Sequence, residues 1–100
     1  MNVSINAKAT AIIAAYNEEK TIGPIIDVLK AIPFLNQIVV VSDGSTDHTV
    51  DVARSRGVEV VELLYNVGKG GALYQGLMNT TSNVVLLLDA DLIGLTHQHV

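Results

Sequence analysis

The chain has 100 residues, 49% hydrophobic and 16% charged, with a formal net charge of -4. One domain fits that length, and a composition this apolar buries a core and excludes a disordered chain. With no cysteine there is no disulfide framework and no zinc–thiolate site, and with no basic cluster nucleic acid is not an expected partner.

Residues 1–7 read as a lead-in. Residues 9–15 are small and apolar with two isoleucines, and form a first strand. Asn17-Glu18-Glu19 ends it and opens a helix, since acidic residues in a first turn suit the helix dipole. Ile22, Ile25, Ile26, Leu29 and Ile32 follow helical spacing, and Pro33 helps to stop that helix. Residues 37–42, centred on Ile38-Val39-Val40-Val41, form a second strand. Asp43-Gly44-Ser45-Thr46-Asp47 is a turn whose polar side chains can cap the next helix. That helix carries Val50, Val52 and Ala53, with Arg54 and Arg56 in its last turn and Gly57 as its stop. Residues 58–63 form a third strand. Asn66-Val67-Gly68-Lys69-Gly70-Gly71 is a glycine-rich turn, and Ala72, Leu73, Gly76 and Leu77 continue it as a helix. Residues 84–88 form a fourth strand, and Thr96 is placed to cap a further helix.

This β-α-β-α-β-α-β order predicts an α/β fold with parallel strands and right-handed crossovers. In the order 3-2-1-4 the fourth strand, the most apolar, would lie at an edge, and such edges invite aggregation. Residues 1–100 are therefore expected to be the N-terminal portion of one domain, incomplete at its C-terminus, whose remaining strands cover that edge. Apolar runs fall well short of the ~20 residues of a membrane-spanning helix. The N-terminus lacks the order of a signal peptide, so a cytoplasmic location is expected, with peripheral membrane association left open.

Chemistry concentrates at Asp89-Ala90-Asp91, directly after Val84-Val85-Leu86-Leu87-Leu88. On an extended backbone, residues i and i+2 point to the same side. Two carboxylates that close repel each other unless a proton or a cation lies between them. A hard divalent ion, Mg²⁺ or Mn²⁺, is the simplest partner, and it often keeps a substrate phosphate in its shell. The C-terminal end of a sheet strand is where open α/β sheets bind ligands.

Four segments in order now resemble the nucleotide-sugar-binding half of the GT-A glycosyltransferases. They are Ala14-Ala15-Tyr16-Asn17-Glu18-Glu19, Val41-Ser42-Asp43-Gly44-Ser45-Thr46-Asp47, Asn66 to Leu73, and Leu88-Asp89-Ala90-Asp91. The likeness spans residues 11–95 and is greatest to family 2, including dolichyl-phosphate mannose synthase-like and glucosyl-3-phosphoglycerate synthase-like enzymes. Asp91-Leu92-Ile93 is similar to the latter group. The resemblance implies a Rossmann-like, mostly parallel sheet with helices on both faces, and metal-assisted transfer of a sugar from a nucleotide donor, UDP-glucose-like. It implies that Ala15, Tyr16, Asn17 and Glu18 or Glu19 lie against the nucleotide. Ser42, Asp43, Gly44 and Ser45 would hold base and ribose, and Gly68 and Lys69 would lie beside the base or diphosphate. Asp89 with Ala90 would contact ribose or metal, and Asp91 would bind the metal. Implied acceptors are phosphoglycerate, a polyprenyl phosphate or a glycan, and a homodimer is a candidate assembly. The acceptor-side base would lie beyond residue 100. Many members have two aspartates before Gly-Ser, whereas Ser42 stands in the first of those places here, which puts uracil recognition in question.

Plainer readings apply to several of these residues. Asp47 reads as a turn and cap residue and Asp43 as a ligand contact, while one of Glu18 and Glu19 serves only the helix dipole. Lys69 is a surface lysine or a phosphate-binding point charge. His48, His97 and His99 read as exposed, and Tyr65 and Tyr74 as packing residues. No Gly-Lys-Ser/Thr or G-x-G-x-x-G occurs, against a P-loop or a dinucleotide fold. A sugar-phosphate nucleotidyltransferase would show a glycine- and arginine-rich loop after the first strand. A non-catalytic receiver-like module would need an aspartate at the end of the third strand, where Leu63-Leu64-Tyr65 stands.

Overall fold

The computed structural model describes residues 9–80 and 82–91. Thr96, His97, His99 and the Leu92-Ile93 pair lie outside them, as do residues 1–8. The element order is β1 (Ala9–Ala15), α1 (Ile22–Lys30), β2 (Leu35–Asp43), α2 (Thr49–Ser55), β3 (Glu59–Leu63), α3 (Lys69–Leu77) and β4 (Val84–Asp89). The strands form one parallel sheet in the order β3-β2-β1-β4. This is the α/β architecture and the strand order that alternation and apolar runs predict.

Each strand of a parallel sheet is covered on both faces by its crossover helices, so its apolar residues run without a break. β1 shows this fully, with all seven residues buried. Alternate residues separate two cores. Ala11, Ile13 and Ala15 of β1 and Ile38 and Val40 of β2 pack on one face against Ile22, Ile25, Ile26 and Leu29 of α1 and Ala53 of α2. Ile12, Ala14, Val39 and Val41 face the other side and meet Ala72 of α3. Each fully buried isoleucine of this kind contributes roughly 1.5–3 kcal/mol. α3 approaches so closely that a Cβ on Gly76 would lie 2.3 Å from Ile12 Cγ2, so only glycine fits there. Arg56, just past α2, ties it to α1 through Asp27, Nε to Oδ1 at 3.0 Å.

Three expectations are corrected. α1 starts at Ile22 and has no acidic residue in its first turn. Glu18 and Glu19 belong to the preceding turn, where both backbone N–H groups and the Glu19 carboxylate bond to residues 47–49. Neither serves as a dipole partner inside the helix. Tyr65 and Tyr74 do not pack: they are 77% and 59% exposed. The backbone through Asp89-Ala90-Asp91 is not extended, since β4 ends at Asp89 and helical backbone begins at Ala90. β2 is also longer than its apolar centre suggests, beginning at Leu35 and running to Asp43.

β4, at the edge of the sheet, differs from the central strands β1 and β2. Val84, Leu86 and Leu87 are at least a third exposed, although the strand pairs with β1 along its whole length. Among the described residues no helix is long and apolar enough to cross a membrane.

Candidate functional site

The chain reverses its winding between β1 and β4. At such a switch point the loops at the strand C-termini diverge and leave a crevice. A cleft of about 610 Å³ opens there. β1 contributes Ala14 and Ala15, the loop after it Tyr16, Asn17 and Glu18, and β2 contributes Asp43. The β3–α3 loop contributes Asn66 and Gly68, α3 contributes its first residue, Lys69, and Asp89 at the end of β4 and Asp91 just past it complete the lining. The four motifs singled out in the sequence thus meet on one rim.

The β1–α1 and β2–α2 loops are fastened to each other. Asn17 sits in left-handed backbone at φ 52°, a conformation asparagine tolerates better than most residues. Its side-chain Oδ1 accepts the N–H groups of Thr46 at 2.8 Å and Asp47 at 3.3 Å. In return, Asn17 N–H donates to Ser45 Oγ at 3.0 Å and Glu18 N–H to Thr49 Oγ1 at 2.8 Å. Glu19 N–H donates to Asp47 Oδ2, and His48 N–H donates to Glu19 Oε1 at 3.1 Å. Asp47 Oδ1 takes Thr49 N–H at 2.9 Å together with the Thr49 hydroxyl. Burial raises the Asp47 pKa, but the hydrogen bonds from Thr49 and Glu19 outweigh it and hold the carboxyl below its ordinary value. Asp47 is thus a turn residue, as its sequence context suggests.

Ser42 is fully buried, with its hydroxyl accepting Ser45 N–H at 3.4 Å. Gly44, at φ 76°, lies against the β3–α3 loop. Glu19, Ser42, Gly44, Ser45 and the fully buried Ala90 therefore shape the rim from behind and do not line the cleft. Ala14 and Asn66 are the lining residues that the sequence did not mark as site residues, and Asn66 is the polar one. Its signal was a polar side chain at the start of a glycine-rich turn.

The β4 side is governed by charge. Asp89 Oδ2 pairs with Lys69 Nζ at 2.5 Å, and Asp89 Oδ1 accepts Asp91 N–H at 3.0 Å. Asp89 thus caps the turn that follows it, which keeps both carboxylates on the cleft although the backbone is not extended. The hydrogen bond from Lys69 to Asp89, then the charges of Asp89 and Asp91, raise the Lys69 pKa. Glu18 faces the same negative field: burial first, then Asp91, Asp89 and Asp47, push its pKa up. Three carboxylates and one ammonium leave this end net negative. Among the described residues no three His, Cys, Asp or Glu side chains converge on one metal position. Asp89 and Asp91 nevertheless present the oxygen donors that a hard divalent ion takes, with positions left for phosphate oxygens and water.

A smaller depression of about 310 Å³ lies at the opposite end of the sheet, around Lys30, Gln37 and Glu59. Its polar groups bond to one another: Lys30 Nζ donates to the Arg56 carbonyl and Gln37 Nε2 to Glu59 Oε1.

Comparison with known proteins covers nearly the whole chain. Residues 10–95 match the model of the family described as Glycosyl transferase family 2. A 4,4'-diaponeurosporenoate glycosyltransferase of Staphylococcus aureus strain USA300 is 39% identical over 95 residues, covering 89% of this chain and 25% of that protein. The chain thus spans about a quarter of the length of the curated relatives it matches. Among solved structures, glucosyl-3-phosphoglycerate synthase from Mycobacterium tuberculosis in complex with UDP superposes with a TM-score of 0.74 at 30% identity. That match covers 85% of this chain and 34% of the other. A mannosyltransferase from Pyrobaculum calidifontis in complex with GDP-Man and Mn²⁺ gives a TM-score of 0.78 at 29% identity, covering 84% and 27%.

Proposed function

We propose that this chain, which belongs to glycosyl transferase family 2, builds the donor site of a glycosyltransferase that takes its sugar from a nucleoside diphosphate with the help of Mg²⁺ or Mn²⁺. The observation that carries the reading is the meeting of Asp89, Asp91 and Lys69 with the β1–α1 and β3–α3 loops in one cleft at the switch point of the sheet. The relatives give it context. The M. tuberculosis synthase has been solved with Mn²⁺, UDP-glucose and phosphoglyceric acid, and the P. calidifontis enzyme with GDP-Man and Mn²⁺. A UDP-glucose-like donor is the reading favoured here.

In such a transfer the bond between the anomeric carbon and the diphosphate oxygen breaks, and negative charge grows on the leaving diphosphate. A divalent ion held by Asp89 and Asp91 would supply Lewis-acid stabilisation worth several kcal/mol, by order of magnitude. The remaining work falls to the chain's own groups. The Lys69 ammonium stands beside Asp89 and can turn to a phosphate oxygen as a mobile point charge. Tyr16, half exposed at the end of β1, offers a ring edge to the nucleoside. The clasp between residues 17–19 and 45–49 holds that side of the cleft in place before any ligand arrives, which lowers the ordering cost of binding. The resemblance assigned base and ribose contacts to Ser42, Gly44 and Ser45. Because these lie behind the rim, their part in the proposal is to shape the loop that meets the base.

Calorimetric titration with UDP, GDP and UDP-glucose, each with and without Mn²⁺, tests this reading. The expected result is binding at least about tenfold tighter with Mn²⁺, a gain of about 1.4 kcal/mol, with UDP-glucose and UDP preferred over GDP. A folded sample that binds no nucleotide in a metal-dependent way would overturn it.

A further inference from the structure

Glu18 lines the cleft together with Asp89 and Asp91, and its backbone is held on both sides. Its carbonyl accepts the N–H groups of Thr21 at 3.1 Å and Ile22 at 2.9 Å, where α1 begins. Its own N–H donates to Thr49 Oγ1 at 2.8 Å, a partner 31 residues away. Glu19, the next residue, is committed to the clasp. Its N–H donates to Asp47 Oδ2 at 3.3 Å and its carboxylate accepts His48 N–H at 3.1 Å. Of the two neighbouring glutamates, Glu18 is therefore the one whose half-buried side chain is left on the cleft wall.

The group that fixes Glu18 is itself fixed. Thr49 is the first residue of α2 and is fully buried, so its hydroxyl has only protein partners. A hydroxyl has one proton to donate, and an ionised carboxylate can only accept. Asp47 Oδ1 takes that proton, and the Thr49 N–H at 2.9 Å as well. The hydroxyl proton thus points to Asp47, which leaves the oxygen lone pairs for Glu18 N–H. A bond to an ionised acceptor is stronger than a neutral one, and consecutive bonds polarise one another. β-branching restricts the Thr49 side chain further. One buried hydroxyl therefore connects the charge of Asp47 to the backbone of residue 18.

The geometry points to Thr49 as a positioning residue: its hydroxyl, held by Asp47, sets the backbone of Glu18 and so places the Glu18 carboxylate against the hydrogen-bond donors of the nucleoside. This rests on the nucleotide-sugar reading above and deepens it. A carboxylate repels a diphosphate, whereas the hydroxyl and N–H groups of a nucleoside can donate to it. The effect of Thr49 should therefore fall on ligands that carry a nucleoside.

Two Mn²⁺-loaded probes test this in the full-length protein by calorimetry: UDP, and inorganic pyrophosphate, which has no nucleoside. Thr49→Val keeps the side-chain shape and removes the hydroxyl. It is expected to weaken UDP by about tenfold and pyrophosphate by less than about twofold. Thr49→Ser returns the hydroxyl and is expected to restore UDP affinity to within about twofold of the natural protein. In a Glu18→Gln background, Thr49→Val is expected to add less than about twofold, because residues acting through one another are not additive. Asp47→Asn keeps an acceptor for the Thr49 hydroxyl without the charge, and covers the case in which Thr49→Val does not fold. It is expected to weaken UDP by about threefold, again with pyrophosphate spared. Equal loss of both probes, unchanged UDP affinity, no rescue by serine, or full additivity with Glu18→Gln would each overturn the inference. Failure of the unsubstituted protein to bind either probe would instead remove the nucleotide-sugar reading, and this inference with it.

Discussion

The two sides of the cleft are built on opposite principles. On the β1–β2 side nearly every polar group already has a partner. Asn17, Ser45, Asp47 and Thr49 exchange hydrogen bonds between two loops about thirty residues apart in sequence. On the β4 side Asp89, Asp91 and Glu18 gather with one ammonium, which pairs with Asp89, and the Glu18 pKa is raised, by burial and by its neighbours' charge. A satisfied network is rigid and gains little from a ligand. An excess of like charge is a standing cost that a cation removes. The contrast assigns shape to one side and ligand-dependent charge neutralisation to the other.

Substitutions can break this contrast, and the largest effect is expected at the charged side. Asp91→Ala should lower Mn²⁺-dependent UDP affinity by about 100-fold, or about 2.7 kcal/mol. Its melting temperature should not fall, because Asp91 is exposed and makes no side-chain bond among the described residues. Unchanged affinity in a calorimetric titration would show that Asp91 does not hold the metal. Asn17→Ala should do the reverse in kind. It removes an acceptor shared by two backbone N–H groups and puts alanine in left-handed backbone, and should cost about 1–2 kcal/mol of stability by denaturant unfolding. Mn²⁺ binding should change less than in Asp91→Ala.

The smallest effect is one of pH. The folded-state pKa of Asp47 lies below its ordinary value, so its contribution is present above the unfolded pKa and fades as pH falls through the folded one. Acidification below the ordinary carboxylate range should therefore lower the melting temperature by about 1–3 °C more in the natural protein than in Asp47→Asn. An equal drop in both would mean that Asp47 does not secure the clasp.

How much of this was legible depends on how far apart the interacting residues are. Ile12, Ile13 and Val39 to Val41 announce buried strands because parallel strands covered on both faces need continuous apolar runs. Alternation then leaves few strand orders to choose from, and the observed β3-β2-β1-β4 is the one expected. The cleft residues were legible because ligand loops fall at strand C-termini. Interactions over long sequence separations were not. Glu18 and Glu19 look like first-turn acids from local sequence, but their partners Thr49, His48 and Asp47 lie about thirty residues away. Asp43 reads as a ligand contact and does line the cleft, but its backbone partners were not legible. Those partners, the N–H groups of Val67 and Gly68, lie 24 and 25 residues on. Tyr65 and Tyr74 carry no periodic signal of their own, and their exposure follows from where the loop and α3 sit on the sheet.

Amide hydrogen exchange, residue by residue, shows whether the rim is preformed or forms on binding. It would be measured on the protein alone, with Mn²⁺, and with Mn²⁺ and UDP. A preformed rim requires the N–H groups of Thr46, Asp47, Thr49, Val67 and Gly68 to be protected from the start and to change little. The N–H of Asp91, which already bonds to Asp89 Oδ1 at an exposed position, should gain further protection when metal and nucleotide are both present. Free exchange at Thr46, Asp47, Val67 and Gly68 in the protein alone, with protection appearing there only on ligand binding, would contradict it.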